Sequence, residues 1–384
     1  MSGYIQREDR LFDPATGQLV GYVDLRGGEQ IGYPVSTAGN SGRPAPPTAV
    51  LAIAGEASAI VSFVGDGQAA SYTVTATPGG ASATGSSSPI AVAGLANGTA
   101  YTFSVSAANS AGQSNASGAS NAVTPRSRPA GLSGIPGLMC WYDASQEAVV
   151  ADGTAVASLT DWSGNGYTAA QATVAQRPTY AVAASWGGGT TGKPAIKFNG
   201  NQQNIISALT SAVIGRAATI FVVFSQSSLS ATSGATDCRV MSNEVTRYDS
   251  GWYIGTSDAG LGGGGNPRLK VYGNNSSSVV SATALAINAV SIASVVTERQ
   301  PFLNGARATT FNNNGGIGPE LVKRQQAIAL GSIAAGNGGQ SLQGSIAEVL
   351  IFRGTLTDSQ RQSVESYLAT KYNQSAPATA ATVN

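Results

Sequence analysis

The chain contains no histidine, which removes the commonest general base and the commonest transition-metal ligand. Its two cysteines, Cys140 and Cys238, lack the spacing of a zinc site. Free cysteine is usually a small buried hydrophobe, and both are expected to be core; a disulfide between them stays open. Charged residues make up only 11% of the sequence, against about a quarter in ordinary globular chains. The net charge is +1 with no basic block, so a nucleic acid finds no electrostatic footprint. No apolar run approaches the roughly 18 residues that a membrane span needs. The start, Met1-Ser2-Gly3-Tyr4-Ile5-Gln6-Arg7-Glu8-Asp9, is polar and lacks the apolar core of a signal peptide. An outward-facing protein that begins this way is expected to leave its cell by lysis rather than by the ordinary signal.

What is present points to β-structure. Hydrophobic residues reach 42% over 384 residues, enough for two or three packed domains. Glycine alone numbers 49, and small polar residues stand where lysine and glutamate usually do. That bias suits many-turned β-domains and argues against helical cytosolic enzymes.

Residues 1–36 are short and punctuated. Arg10-Leu11-Phe12-Asp13 and Gln18-Leu19-Val20-Gly21-Tyr22-Val23 flank Asp13-Pro14-Ala15-Thr16-Gly17. Asp-Pro sets a type I turn and the glycine can take positive φ, so a hairpin is expected. A second break at Gly27-Gly28 precedes Gln30-Ile31-Gly32-Tyr33. The segment is too small to bury its own core. Its apolar residues Leu11, Phe12, Leu19, Val20, Tyr22, Val23 and Ile31 are expected to bury against a partner or sister copies. Residues 37–45 form a Gly/Ser linker that stiffens toward Pro44, Pro46 and Pro47.

Residues 46–125 alternate apolar with small polar residues in Ala49–Ile53, Ala59–Phe63, Tyr72–Ala76 and Ile90–Val92. Leu95 ahead of Tyr101 at the start of Tyr101-Thr102-Phe103-Ser104-Val105 has the tyrosine-corner pattern. This stretch resembles a fibronectin type III domain, with Val61 and Phe63 where many members carry tryptophan. The resemblance implies an immunoglobulin-like sandwich that spaces other domains.

Residues 129–374 open with Leu138-Met139-Cys140-Trp141-Tyr142-Asp143 and continue through Asp161-Trp162-Ser163-Gly164-Asn165-Gly166. Ala218-Thr219-Ile220-Phe221-Val222-Val223-Phe224 is nearly continuous apolar, so a central strand buried on both faces is expected. Phe302-Leu303-Asn304-Gly305-Ala306-Arg307 carries the Asn-Gly of a type I′ hairpin. After Ile346-Ala347-Glu348-Val349-Leu350-Ile351-Phe352, the capping box Thr357-Asp358-Ser359-Gln360 starts a helix with Val364, Tyr367 and Leu368 on one face. This region resembles a laminin-G-like, concanavalin-type jelly-roll sandwich. Residues 375–384 are expected to form a flexible tail. The fold expected overall is all-β: an N-terminal hairpin anchor, a fibronectin-III sandwich, and a jelly-roll with a short C-terminal helix.

Candidate chemistry is sparse. Asp143, Asp161, Glu244, Asp249, Asp258, Glu298 and Glu348 form no catalytic carboxylate pattern, so no enzyme is expected. Asp161 reads as a turn residue bonding local amides, and Glu348 as a solvent-facing strand residue. Related sandwiches hold calcium with loop oxygens, and Asp143, Asp161 and Asn165 are the oxygens such a site would use; no other cofactor is expected. Sugar recognition uses aromatic stacking beside polar groups, which nominates Trp186, Trp252 and Arg247, whereas Tyr253 is expected to face the core.

Taken together, the segments resemble tailed-phage fibre or decoration proteins. The resemblance implies a virion-surface homotrimer, anchored to a capsid or tail protein through residues 1–36 and binding host-surface glycans, without nucleic acid or membrane. A secreted bacterial carbohydrate-binding or adhesion protein is the alternative reading. The joint Pro125-Arg126-Ser127-Arg128-Pro129 is expected to separate two independently folding sandwiches.

Overall fold

A computed structural model describes the strand backbones within residues 1–41. It describes residues 42–374 apart from 149, 183–191, 215–216, 228–236, 244–251, 258–267, 274–276, 287, 297–300, 308–326 and 333–340. At 211–212, 237, 257, 272–273 and 277–284 the description is of backbone alone.

Near the N-terminus, strands Ile5–Arg7, Arg10–Phe12, Leu19–Arg26 and Glu29–Pro34 form one antiparallel sheet in chain order. The expected hairpin is part of it, with Leu11 opposite Gly21. A second antiparallel pairing joins Leu19–Arg26 to Glu29–Pro34, with Arg26 opposite Glu29. The side chains of Leu11, Phe12, Leu19, Val20, Tyr22, Val23 and Ile31 lie outside the described residues.

The next unit is a fibronectin-III-like sandwich. Thr48–Ala54, Ser58–Val64 and Ile90–Ala93 form one sheet; Ser71–Thr77, Ser82–Gly85, Thr102–Asn109 and Gly112–Gln113 form the other. Period-two alternation turns Tyr72, Val74 and Ala76 toward Phe103, Val105 and Ala107 in the core. The tyrosine corner is present: the Ala96 N–H donates to Tyr101 Oη at 3.1 Å. Tyr101→Phe is expected to lower the stability of this unit by about 1 kcal/mol, one hydrogen bond's net worth; an unchanged urea midpoint would contradict the assignment.

The edge of this sandwich is closed by a serine repeat, Ser114-Asn115-Ala116-Ser117-Gly118-Ala119-Ser120. The N–H groups of Ser114, Ser117 and Ser120 donate to the carbonyls of Ala107, Val105 and Phe103. Their hydroxyls accept the N–H groups of the same three partners at 2.9–3.0 Å. Three residues of the segment thus match two of the strand, and the hydroxyl stands in for the carbonyl that a β-ladder would supply. The edge keeps few unpaired groups to template aggregation.

The C-terminal unit is a jelly-roll of two eight-stranded antiparallel sheets. The first is centred on the closing strand Gln343–Arg353, which pairs with Leu138–Asp143 and Ala195–Asn199 on one side and Ala218–Gln226 on the other. The second contains Ile205–Thr210, Ala327–Leu330, Asp237–Ser242, Tyr253–Ser257 and Arg268–Gly273 as successive neighbours. Phe198, Ile220, Phe224, Met241, Ile254 and Leu330 fill the space between the sheets. On the first sheet's other face, Phe221, Leu350 and Phe352 pack under Val364, Leu368 and Tyr372 of the C-terminal helix and its cap. Ala218–Gln226 is accordingly buried along its whole length, as its continuous apolar run required. The helix Asp358–Lys371 begins with the expected capping box between Thr357 and Gln360. At the Asn-Gly hairpin, Asn304 and Gly305 take φ of 48° and 78°, the two positive values of a type I′ turn. Cys140 and Cys238 are both free and buried. Among the described residues no helix is long and apolar enough to cross a membrane.

Candidate functional site

Two polar clusters are built around the first strand of the jelly-roll, Leu138–Asp143. One is the loop Asp161–Gly166. Asp161 Oδ1 accepts the N–H groups of Trp141 at 3.0 Å and Ser163 at 2.9 Å, and Oδ2 accepts that of Tyr167 at 2.9 Å. Asp161 therefore acts as the turn residue that its sequence position suggested. Asn165 reaches across the joint. Its Nδ2 donates to the carbonyls of Leu138 and Met139, while Oδ1 accepts the Ala54 N–H of the fibronectin-like unit at 2.7 Å.

Gly164 sits between them at φ +92°, with its carbonyl accepting the Thr124 N–H at 2.8 Å. A Cβ at Gly164 would lie 2.0 Å from the Thr124 carbonyl oxygen, so only glycine permits this approach. Arg128 donates to Ala54 O at 2.7 Å and to Ile135 O at 3.0 Å. Arg126 stands over the Trp162 ring, 5.0 Å from its centroid, and the Ser133 hydroxyl donates to Glu56. Ile53 of the fibronectin-like unit joins the jelly-roll core. These contacts make the joint a hydrogen-bonded latch.

The second cluster lies under the C-terminal helix. Glu348 is opposite Asp143 in the ladder and is 1% exposed. This corrects the expectation of a solvent-facing Glu348, which ignored the helix covering this face. Its carboxylate accepts from Trp141 Nε1 at 2.7 Å, Lys371 Nζ at 2.7 Å, Tyr372 Oη at 3.0 Å and Tyr367 Oη at 3.2 Å. Lys371 Nζ also donates to Asp143 Oδ2 at 2.5 Å. Asp143 Oδ1 accepts the Ser145 N–H at 2.9 Å and its hydroxyl at 2.6 Å. Burial pushes the Glu348 carboxyl up to about 7, with the Asp143 charge adding and Lys371 opposing. Burial, and then the Glu348 charge, raise both the Tyr367 and Tyr372 phenols.

This wiring corrects the calcium reading of Asp143, Asp161 and Asn165. Asp161 is committed to three backbone donors, Asn165 to the joint, and Asp143 to Lys371 and Ser145, so their oxygens do not converge on one centre. Among the described residues no group of three or more His, Cys, Asp or Glu could hold a metal ion.

Trp252 is also corrected as a ligand residue. It is 3% exposed and belongs to the core between the sheets, with its backbone N–H donating to Asn243 Oδ1 at 2.7 Å. Trp186 and Arg247 lie outside the described residues. Tyr253 is buried, yet its neighbours Trp252 and Ile254 take the core side, so alternation turns Tyr253 to the opposite face. There the Arg239 guanidinium stacks 3.5 Å from its ring centroid, with Lys270 Nζ at 5.9 Å. Neither Lys371 nor the Arg239–Tyr253 pair was singled out from the sequence. Lys371 in a last helical turn reads as dipole compensation, and the stack becomes visible only once strand register is known.

No family model and no curated protein matches this sequence. Solved structures similar to it include domain 4 of the arabinanase AbnA from Geobacillus stearothermophilus with arabinotriose, at 17% identity and TM-score 0.38 over 58% of this chain and 96% of that one. A fibronectin type III structure, FN3tt mut, matches at 20% identity and TM-score 0.19, over 21% of this chain and 96% of its own. A Trypanosoma rangeli sialidase in complex with sialic acid matches at 10% identity and TM-score 0.43, over 97% of this chain and 62% of that one. The expectation that the chain is no enzyme is withdrawn, because an enzyme stands among these likenesses. At these TM-scores none of them assigns a reaction.

Proposed function

We propose that this chain is a virion-surface protein of a tailed phage that holds a carbohydrate-binding jelly-roll away from the particle. Residues 1–36 anchor it to a capsid or tail protein, the fibronectin-like unit is the spacer, and three copies assemble. The observation that carries the reading is the latch at Asn165 and Gly164. A spacer bonded directly to the module it carries fixes that module's orientation, which suits a display arm. The ligand class follows the resemblance of the jelly-roll to concanavalin-type sandwiches that bind sugars; Arg239 and Tyr253, 0% and 2% exposed, stack on each other inside the fold and are not part of the sugar face.

A glycan array probed with the full-length chain tests the reading. Binding to host-envelope glycans is expected. An array blank for the full-length chain, alone and clustered, would overturn the carbohydrate assignment.

A further inference from the structure

We propose that the folded chain joins Lys371 to Asp143 by an intramolecular amide bond, Nζ to Cγ, with Glu348 as the proton-transferring catalytic residue. The three groups come from elements far apart in sequence: Asp143 ends a strand, Glu348 faces it on the closing strand, and Lys371 ends the helix. Only the finished fold brings them together.

Amide formation needs an amine against a carboxyl carbon, neutral reactants, and a place for the developing oxyanion. Contact is present, since Nζ lies 2.5 Å from Asp143 Oδ2 and 2.7 Å from Glu348 Oε2. Fixing reactants in this way replaces a bimolecular encounter with an effectively unimolecular one. Bulk water is largely kept from the reactants, because both carboxylate side chains are 0% exposed and the Lys371 side chain is 11% exposed. Trp141, Tyr367 and Tyr372 wall the cluster. The oxyanion site is Asp143 Oδ1, which already faces the N–H and hydroxyl of Ser145.

The step balances without a co-reactant. A proton passes from the Nζ ammonium to Asp143 Oδ2, leaving a neutral amine and a neutral acid. Nζ attacks Cγ and the N–C bond forms, with negative charge gathering on Oδ1. Glu348 takes a second proton from nitrogen and returns it to Oδ2. The Cγ–Oδ2 bond breaks, water leaves, and Glu348 is restored. Lys371 and Tyr367 border an open groove with Ala130 and Gly131, which gives the water a way out. The bond would tie the helix to the first strand and close residues 143–371 into a covalent ring.

Intact-mass spectrometry of the purified full-length chain tests this. The expected mass is the sequence mass less one water, and digestion should release a branched peptide joining the Asp143 and Lys371 segments. Lys371→Arg keeps the positive charge without the attacking amine and should show the full mass. Glu348→Gln, checked for retained fold by circular dichroism, should slow the loss of water at least tenfold. A folded wild-type chain that keeps its full sequence mass after days at neutral pH overturns the proposal. So does a loss of water that persists in Lys371→Arg. Glu348→Gln losing water at the wild-type rate removes Glu348 from the mechanism.

Discussion

Gly164→Ala is expected to lower stability by about 3–5 kcal/mol, combining left-handed backbone strain with overpacking against a rigid neighbour. The substituted residue would have to hold φ +92° while its methyl met the Thr124 carbonyl oxygen, and that neighbour is backbone. Relief requires the two sandwiches to move apart. Parting them releases the bonds from Thr124 to Gly164 and from Ala54 to Asn165. Gly166 provides the control. It also has positive φ, at +81°, but nothing lies within 4 Å of an added Cβ. Gly166→Ala should therefore carry only the backbone term, about 1 kcal/mol. Urea unfolding of the two variants checks the difference; equal losses would mean that the close approach at Thr124 does not matter.

Measured against the chain before any amide forms, Lys371→Met is expected to cost about 3–5 kcal/mol, because it leaves two buried carboxylates without their cation. Asp143 and Glu348 share Lys371 Nζ and are both enclosed beneath the helix. The loss should grow with pH. Burial raises the Glu348 carboxyl to about 7 in the folded chain, from an ordinary 4.5. Between those values the folded state keeps a proton that the unfolded state has released, so stability falls as pH rises. Removing the cation raises the folded value further and carries the fall to higher pH. Adding Glu348→Gln to Lys371→Met should recover part of the loss by deleting one buried charge. Urea midpoints at mildly acid and mildly alkaline pH read this directly. A Lys371→Met variant as stable as wild type at both would show that Lys371 does not stabilise the two buried carboxylates.

The strands, the tyrosine corner, the capping box and the Asn-Gly hairpin were legible because each is a local pattern with a local cause. Period two at Tyr72–Ala76, Thr357 bonding Gln360, and positive φ at Asn304 and Gly305 need only nearby residues. The sites were less legible, because their meaning depends on distant partners. Glu348 reads as a solvent-facing strand residue until a helix begun at Asp358 lays Lys371 and Tyr372 over it. Asn165 reads as a loop residue or metal ligand until Ala54 arrives from another sandwich. Trp252 reads as a surface aromatic until strand register turns it inward. The serine repeat at 114, 117 and 120 was present in the sequence, but its period matches neither helix nor strand.

Amide hydrogen exchange followed by mass spectrometry tests the latch most directly, on peptides covering Thr102–Asn109 of the fibronectin-like unit and Ala218–Gln226 of the jelly-roll. If the two sandwiches open as one cooperative body, both peptides exchange with the same opening free energy, and Gly164→Ala makes them diverge. Divergence already in the wild-type chain, with the fibronectin-like strand opening while the jelly-roll strand stays protected, would contradict the account.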